Sequence, residues 1–418
     1  VPGIGLGLSP AFGAADLRIP PLLRVYAIGD SVVQGTIGTT GIWDNTKLPA
    51  YGESYILRTV YKNGDRAMIV VNGGVQGNTT GQMLARFDTD IGAHIVPGGG
   101  ICLISGGGND INGGVAQATI VDNVRHMAVK ARGYGLIPIV VLPTPYDNNP
   151  PNNRAAWVSY IAALEAMAAA EGYRTWDIFR VFSVAGDGAW TDAGDTYDTV
   201  HLTRAGELKA ANYASQQLQS LLSPKTVSQV AKTVGALEEG SILNTTGCFD
   251  GSTHAGTGAP TGWNSGATAS GTNGGVRSFV DDDYSNGLRH RVSKTGAGNF
   301  NILRQLVTTK LTPLIGEPVL FTCRYWCKNM YESASAFYKL NFAIALGGTP
   351  ALASPARPLN QAPWETGDEG EVVSFWMPVP SGFTSAEVQA TITVTGTPVG
   401  TALIDIADVN FIPLSALV

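Results

Sequence analysis

At 418 residues the chain is too long for one ordinary hydrophobic core and predicts two or more domains. Its 44% apolar and 14% charged residues argue against a disordered polymer, and 52 glycines point to many tight turns and a β-rich portion. A formal net charge of −6, with no long Lys/Arg cluster to offset it, argues against nucleic acid as a partner, and no apolar stretch reaches the length of a membrane span.

Residues 1–23 are apolar and rich in Gly and Pro, without the basic start of a signal peptide. They read equally as a linker from an upstream module and as a disordered leader, and the missing initiator Met suggests a processed or truncated chain. From Arg24 to about Leu222, short β-branched runs alternate with helical ones. Val25–Ile28 predicts a buried strand ending in Gly29-Asp30-Ser31. Met68–Val71 predicts a second, ending at Asn72-Gly73-Gly74, and Ile101–Ile104 a third, ending at Gly106-Gly107-Gly108. Ile137–Leu142 ends at Pro143, and Arg174–Phe179 offers a fifth strand. Helices are expected over Val115–Arg132 with Gly133 as C-cap, over Asn153–Glu171 before Gly172, and over Thr203–Leu222 before Pro224. Strand and helix in alternation imply a parallel sheet covered on both faces, with ligands beyond the carboxyl ends of its strands.

Around 223–240 the texture changes, and a boundary near 230 divides a domain over 24–230 from one over 231–418. In the second, Gly, Thr, Ser and Asn dominate and short alternating runs such as Phe321–Cys327 and Val388–Val394 predict a β-sandwich. Cys102 lies in an apolar run and reads as a buried thiol, whereas Cys323 and Cys327 are too far apart along one strand to bond each other. Cys248 could pair with either, so the redox compartment stays open. No ligand-rich pattern supports zinc, and Asp281-Asp282-Asp283 reads more readily as a solvated turn than as a calcium loop, so no metal is assigned.

Four short blocks carry chemistry. A serine hydroxyl is a weak nucleophile near neutral pH and needs a base, which in turn needs an orienting group. Ser31, His201 and Asp198 supply nucleophile, base and orienter, and the Asp-x-x-His spacing lets local backbone fix the last contact. A tetrahedral intermediate also needs donors aimed at its oxyanion. The Ser31 N–H, the Gly77 N–H and the Asn109 side-chain amide are the candidates. Asp30 and Asp110 read as turn braces. The nucleophile does not stand in Gly-x-Ser-x-Gly, so a strained elbow is not indicated. His94 and His126 read as surface or helix residues rather than ligands, His254 and His290 as second-domain residues outside the catalysis, and Trp43, Tyr51 and Tyr55 as cleft lining or core. Taken singly each block has a bland reading as a turn, a loop or a helix cap.

Taken in order, Gly29-Asp30-Ser31, Asn72 to Thr79, Gly107-Gly108-Asn109-Asp110 and Asp198-Thr-Val-His201 resemble the blocks of the SGNH hydrolases, the GDSL esterase/lipase family. Val32-Val33 departs from the usual pattern away from the chemistry. The resemblance covers roughly 24–222 and implies a three-layer α/β/α flavodoxin-like domain, a serine esterase and no cofactor. The segment Gly247-Cys-Phe-Asp-Gly-Ser to Trp263 resembles the opening strand of jelly-roll carbohydrate-binding modules. Such pairs occur in secreted polysaccharide esterases and phage tail-spike deacetylases. With the polar loop Asp147–Asn153, this directs the expectation to an acetylated polysaccharide partner and to an extracellular, secreted or virion-associated setting, with a homo-oligomer left open. A lipolytic esterase and an inert glycan-binding or receptor-binding protein are the alternatives. A histidine base further implies activity rising with pH around ~6–7.

Overall fold

The computed structural model describes residues 23–35, 54–63, 66–147 and 153–222, and beyond them 264–265, 276–280, 289–294, 298–306, 312–328, 337–346, 349–353, 357–358, 371–378, 381, 386–395 and 402–413. In the first part, β1 (Leu23–Gly29), β2 (Ala67–Gly74), β3 (Gly100–Ile104), β4 (Leu136–Leu142) and β5 (Arg174–Asp177) form one sheet in the order β2-β1-β3-β4-β5. Every pairing is parallel. The chain runs from β1 to one side for β2, then crosses back over β1 for β3. Successive connections part at that point, and the carboxyl ends of β1 and β3 open a crevice.

The helices are α1 (Ser31–Gln34), α2 (Tyr55–Lys62), α3 (Thr80–Asp90), α4 (Gly108–Asn112), α5 (Gln117–Gly133), α6 (Asn153–Glu171), α7 (Ile178–Phe182) and α8 (Arg204–Leu218). Side chains alternate across a strand, so a doubly covered sheet feeds two cores. Tyr26, Ile28, Cys102, Ile104, Val140 and Leu142 join a buried cluster with Phe87 of α3, Val124 of α5 and Trp157 and Tyr160 of α6. The intervening Val25, Ala27, Ile101, Leu103, Ile139 and Val141 are equally buried and point to the opposite face. On that side α2 and α8 are tied through Asn63 Nδ2, which donates to Ser215 Oγ at 3.1 Å.

The expected parallel α/β domain is present, with differences at element ends. The strand expected through Phe179 stops at Asp177, because the Asp177 carboxylate accepts from Arg180 N at 2.9 Å and caps α7. The residue with positive φ after α5 is Gly135, not Gly133. Strand β2 runs on through Gly74, and α8 starts from Thr203, whose hydroxyl accepts from Gly206 N at 3.1 Å. Helices α1 to α4 and α7 were not expected, although Thr79 and Gln82 form a capping box at the start of α3.

In the second part, β7 (Val276–Val280), β8 (Arg289–Lys294), β10 (Pro318–Lys328), β14 (Glu371–Pro378) and β16 (Ala402–Pro413) form a sheet ordered β14-β10-β16-β8-β7. A second sheet is ordered β12-β11-β15-β9-β6, from β6 (Asn264–Ser265), β9 (Gly298–Leu306), β11 (Phe337–Leu346), β12 (Thr349–Ala353) and β15 (Ala386–Thr395), with β13 (Arg357–Pro358) beside β11. All pairings in both sheets are antiparallel. Cys323 and Cys327 share β10, as expected of one strand. The leader, the boundary near 230, Trp43, Tyr51, Cys248, His254, the Gly247–Trp263 segment and Asp281-Asp282-Asp283 lie outside the described residues. Among the described residues no helix is long and apolar enough to cross a membrane, and no group of three His, Cys, Asp or Glu could hold a metal ion.

Candidate active site

Strand β1 delivers Ser31 to the crevice. Asp30 caps α1, its buried carboxyl accepting from Val32 N at 3.0 Å, so Ser31 becomes the first helical residue rather than part of a floppy loop. Asn72 pins that turn from β2, donating from Nδ2 to Val33 O at 3.0 Å while its Oδ1 accepts from Gly74 N at 3.1 Å.

The base arrives on a tight hairpin. Thr196 and Leu202 pair across its neck, and Tyr197 N donates to His201 O at 2.9 Å. At its tip Asp198 Oδ1 accepts from His201 N at 2.8 Å and from Val200 N at 3.1 Å. Its other oxygen lies 2.8 Å from His201 Nδ1, and His201 Nε2 lies 2.8 Å from Ser31 Oγ. Carboxylate, imidazole and hydroxyl therefore stand in one hydrogen-bonded line. Partial burial raises the Asp198 carboxyl, but the His201 N–H, the imidazole and the Val200 N–H outweigh it and hold it below its ordinary range. It stays an anion that fixes the imidazole with Nδ1 protonated and Nε2 free to accept from the hydroxyl.

Thr199, between Asp198 and Val200, has φ +69, an outlier for a β-branched residue. Three bonds hold it there. Its carbonyl accepts from Asp147 N at 3.1 Å and from Trp190 Nε1 at 2.9 Å, and its hydroxyl donates to Asp147 O at 2.7 Å. The hairpin is thereby tied to the segment after β4, which supplies Pro143, Thr144 and Tyr146 to the cleft wall.

The donors expected for an oxyanion border the same cleft. Gly77, at φ +75, crowns the loop after β2, and a Cβ there would meet nothing within 4 Å, so glycine serves backbone conformation and open approach rather than packing. Asn109 lies in the first turn of α4 and donates from Nδ2 to Asn78 O at 3.0 Å. The glycines before it answer to packing. A Cβ on Gly107 (φ +113) would stand 2.6 Å from the ring of Tyr160, whose hydroxyl donates to Gly106 O at 2.8 Å. Asp110 is buried, and its carboxylate accepts from Thr80 N at 2.8 Å and Thr80 Oγ1 at 2.7 Å, bracing α4 against α3.

Asp30, Ser31, Gly77, Asn109, Asp198 and His201 line one cleft of about 170 Å³. Gln76, Val32, Tyr146 and Trp157 are among its other walls. The expected set Ser31, Asp198, His201, Gly77 and Asn109 is thus brought together. Tyr55 falls in the core rather than the cleft, and of the Asp147–Asn153 loop the described residues are Asp147, paired with Arg154, and Asn153, the first residue of α6. His94 Nδ1 meets Asp90 O at 3.0 Å and His126 is exposed, both away from this cleft.

Residues 27–208 match the GDSL-like Lipase/Acylhydrolase family. The match spans less than half of the 418 residues, and the likeness to GDSL-like lipases and acylhydrolases applies to that part of the chain. Solved structures similar to the chain include an acetylxylan esterase from Geobacillus stearothermophilus, at 20% identity over 48% of this chain and 96% of that one, with a TM-score of 0.38. A lipase/acylhydrolase from Enterococcus faecalis is 16% identical over 49% of this chain and 99% of that one, at 0.40. A GDSL-like lipase from Bacteroides thetaiotaomicron is 20% identical over 48% and 89%, at 0.38. No curated protein matches. Sequence reasoning singled out neither Gln76, although it lies within the Asn72 to Thr79 block, nor Thr144, Tyr146 and Trp157, which no local motif marks, nor Thr199, whose φ only the fold reveals.

Proposed function

We propose that the protein is a serine esterase that removes small O-acyl groups, acetyl foremost, from a polysaccharide. The observation that carries this reading is the line from Asp198 through His201 to Ser31, two contacts of 2.8 Å each, ending beside Gly77 and Asn109. Ser31 Oγ attacks the ester carbonyl carbon while His201 Nε2 takes its proton. The carbonyl oxygen becomes an oxyanion, received by the N–H groups of Ser31 and Gly77 and the Asn109 amide. Collapse breaks the bond to the sugar oxygen, which leaves as an alcohol with the proton from His201. Water then gives a proton to His201, attacks the acyl-Ser31 carbonyl and releases the carboxylic acid, and Ser31 recovers its proton.

A cleft of about 170 Å³ falls short of the ~300–1,000 Å³ usual for drug-sized ligands. That favours a short acyl group over a long chain. Gln76, Asn109 and Thr144 around it offer partners to sugar hydroxyls. The two antiparallel sheets support a jelly-roll sandwich that holds the glycan, and this substrate suits a protein working outside the cell, secreted or on a virion. Acetate release from a panel of acetylated polysaccharides tests the reading, with a p-nitrophenyl ester series for chain length. Preference for longer acyl groups would turn it toward a lipolytic esterase. Absence of turnover, with glycan binding retained, would leave an inert binding protein.

A further inference from the structure

The geometry points to Arg86 as a positioning residue for the oxyanion donors, its guanidinium tying the nucleophile strand to the loop that bears Gly77 and seats Asn109. This deepens the esterase reading and rests on it. Arg86 lies on α3 and is not one of the residues that line the cleft. Its Nη2 donates to Gly29 O at 2.7 Å, two residues before Ser31. Its Nε donates to Asn78 Oδ1 at 2.8 Å, one residue after Gly77. Its Nη1 pairs with the fully buried carboxylate of Asp90, one turn along the helix. Asn78 in turn offers its main-chain oxygen to Asn109 Nδ2 at 3.0 Å. One planar group therefore touches the strand of the nucleophile and the residue that stands between the two other donors.

A purely structural account makes Arg86 the counter-ion of Asp90. That account needs one contact, and a lysine could make it. The other two contacts use the fork geometry that only a guanidinium has. The loop itself does not depend on them. Val75 N donates to Gly29 O at 3.0 Å, Asn78 N to Val75 O at 3.2 Å, and Gln76 N to Gln34 Oε1 at 2.7 Å. Loss of the fork leaves this turn folded and frees the Asn78 side chain. The carbonyl that orients the Asn109 amide then loses its lateral restraint. Oxyanion donors work by standing in place before the charge develops, so a displacement of tenths of an ångström lowers kcat and leaves ground-state binding nearly untouched.

The test compares wild type with Arg86→Lys, Asn78→Ala and the double variant, on a short-chain p-nitrophenyl ester. Arg86→Lys keeps a cation for Asp90, and Asn78→Ala removes Oδ1 but keeps the main-chain oxygen. Each single change should lower kcat ~10–100-fold, below the ~10²–10³ of losing a donor outright, with KM within ~3-fold. The double variant should be no worse than the poorer single one, because both cut the same bond. Lys130→Met, which breaks an exposed pair with Asp88 next to the same helix, should match wild type. Amide exchange over residues 75–79 should quicken in Arg86→Lys while the melting temperature changes little. Unchanged kcat in Arg86→Lys, or single losses that multiply in the double, overturns the proposal. A wild type that cleaves no ester sinks the esterase reading alone. The exchange measurement then still decides the clamp: faster exchange at 75–79 upholds it and unchanged exchange refutes it.

Discussion

Asp30→Asn should stabilise the α/β domain at neutral pH and do nothing for it in acid. The Asp30 side chain is buried directly before Ser31, and its Oδ1 caps α1 through Val32 N at 3.0 Å. Burial pushes its carboxyl up to about 6 from an ordinary 3.8; the Val32 N–H and His201 pull it down and Asp110 pushes it further up. A folded-state value above the unfolded one means the folded protein binds the extra proton between those limits. The stability contributed by Asp30 is complete below about 3.8 and is lost as pH rises through about 6. The gap, at ~1.4 kcal/mol per tenfold in proton affinity, is on the order of 3 kcal/mol at full extent. Asparagine is isosteric, accepts the same cap bond and carries no charge to desolvate. Denaturant unfolding followed from pH 4 to 8 should show the variant level with wild type near pH 4 and ahead by ~1–3 kcal/mol above pH 7. A difference that is flat across pH, or a variant weaker at pH 8 than wild type, would refute the argument, since it would mean that Asp30 is ionised in the folded protein at little cost.

Ser31→Ala should cut kcat by at least ~10³-fold on any ester while leaving the melting temperature within a few degrees, as measured by initial rates and calorimetry. Asn109→Ala should lower kcat ~10²–10³-fold with KM nearly constant, and a matched rise in KM would instead assign that amide to substrate binding. Asp198→Asn should cost up to ~10⁴-fold, because an amide permits the imidazole tautomer that cannot accept the Ser31 proton. Since the Asp198 carboxyl sits below its ordinary range, its stabilising contribution is present above the unfolded value and lost as pH falls through the folded one. Wild-type acid unfolding should accordingly carry a component that Asp198→Asn lacks.

Much of the α/β domain was legible because its strands are doubly buried and need no pattern beyond a short apolar run closed by Gly or Pro. Helix α6 matches the expected Asn153–Glu171 at both ends, since Gly172 supplies the left-handed stop. Ser31, Asp198 and His201 were legible as a set because a chemical role restricts which residue types can stand in it. The strand expected through Phe179 failed where a local side-chain cap at Asp177 won over β-propensity. Helix α3 announced itself through Thr79-x-x-Gln82, a signal present but unread. Arg86 could not be read at all: the two acceptors of its fork other than Asp90 lie 8 and 57 residues away along the chain, and nothing about an arginine in a helix says where that fork will land.

Ser31 Oγ and His201 Nε2 are separated by 170 positions in the chain. During synthesis the serine is an ordinary alcohol until the ribosome has released the hairpin that bears the imidazole and five strands have closed beneath it. On the proposed mechanism the hydroxyl gains its base only when the domain is complete, so a chain cut before residue 201 should cleave no ester however well its early strands have formed.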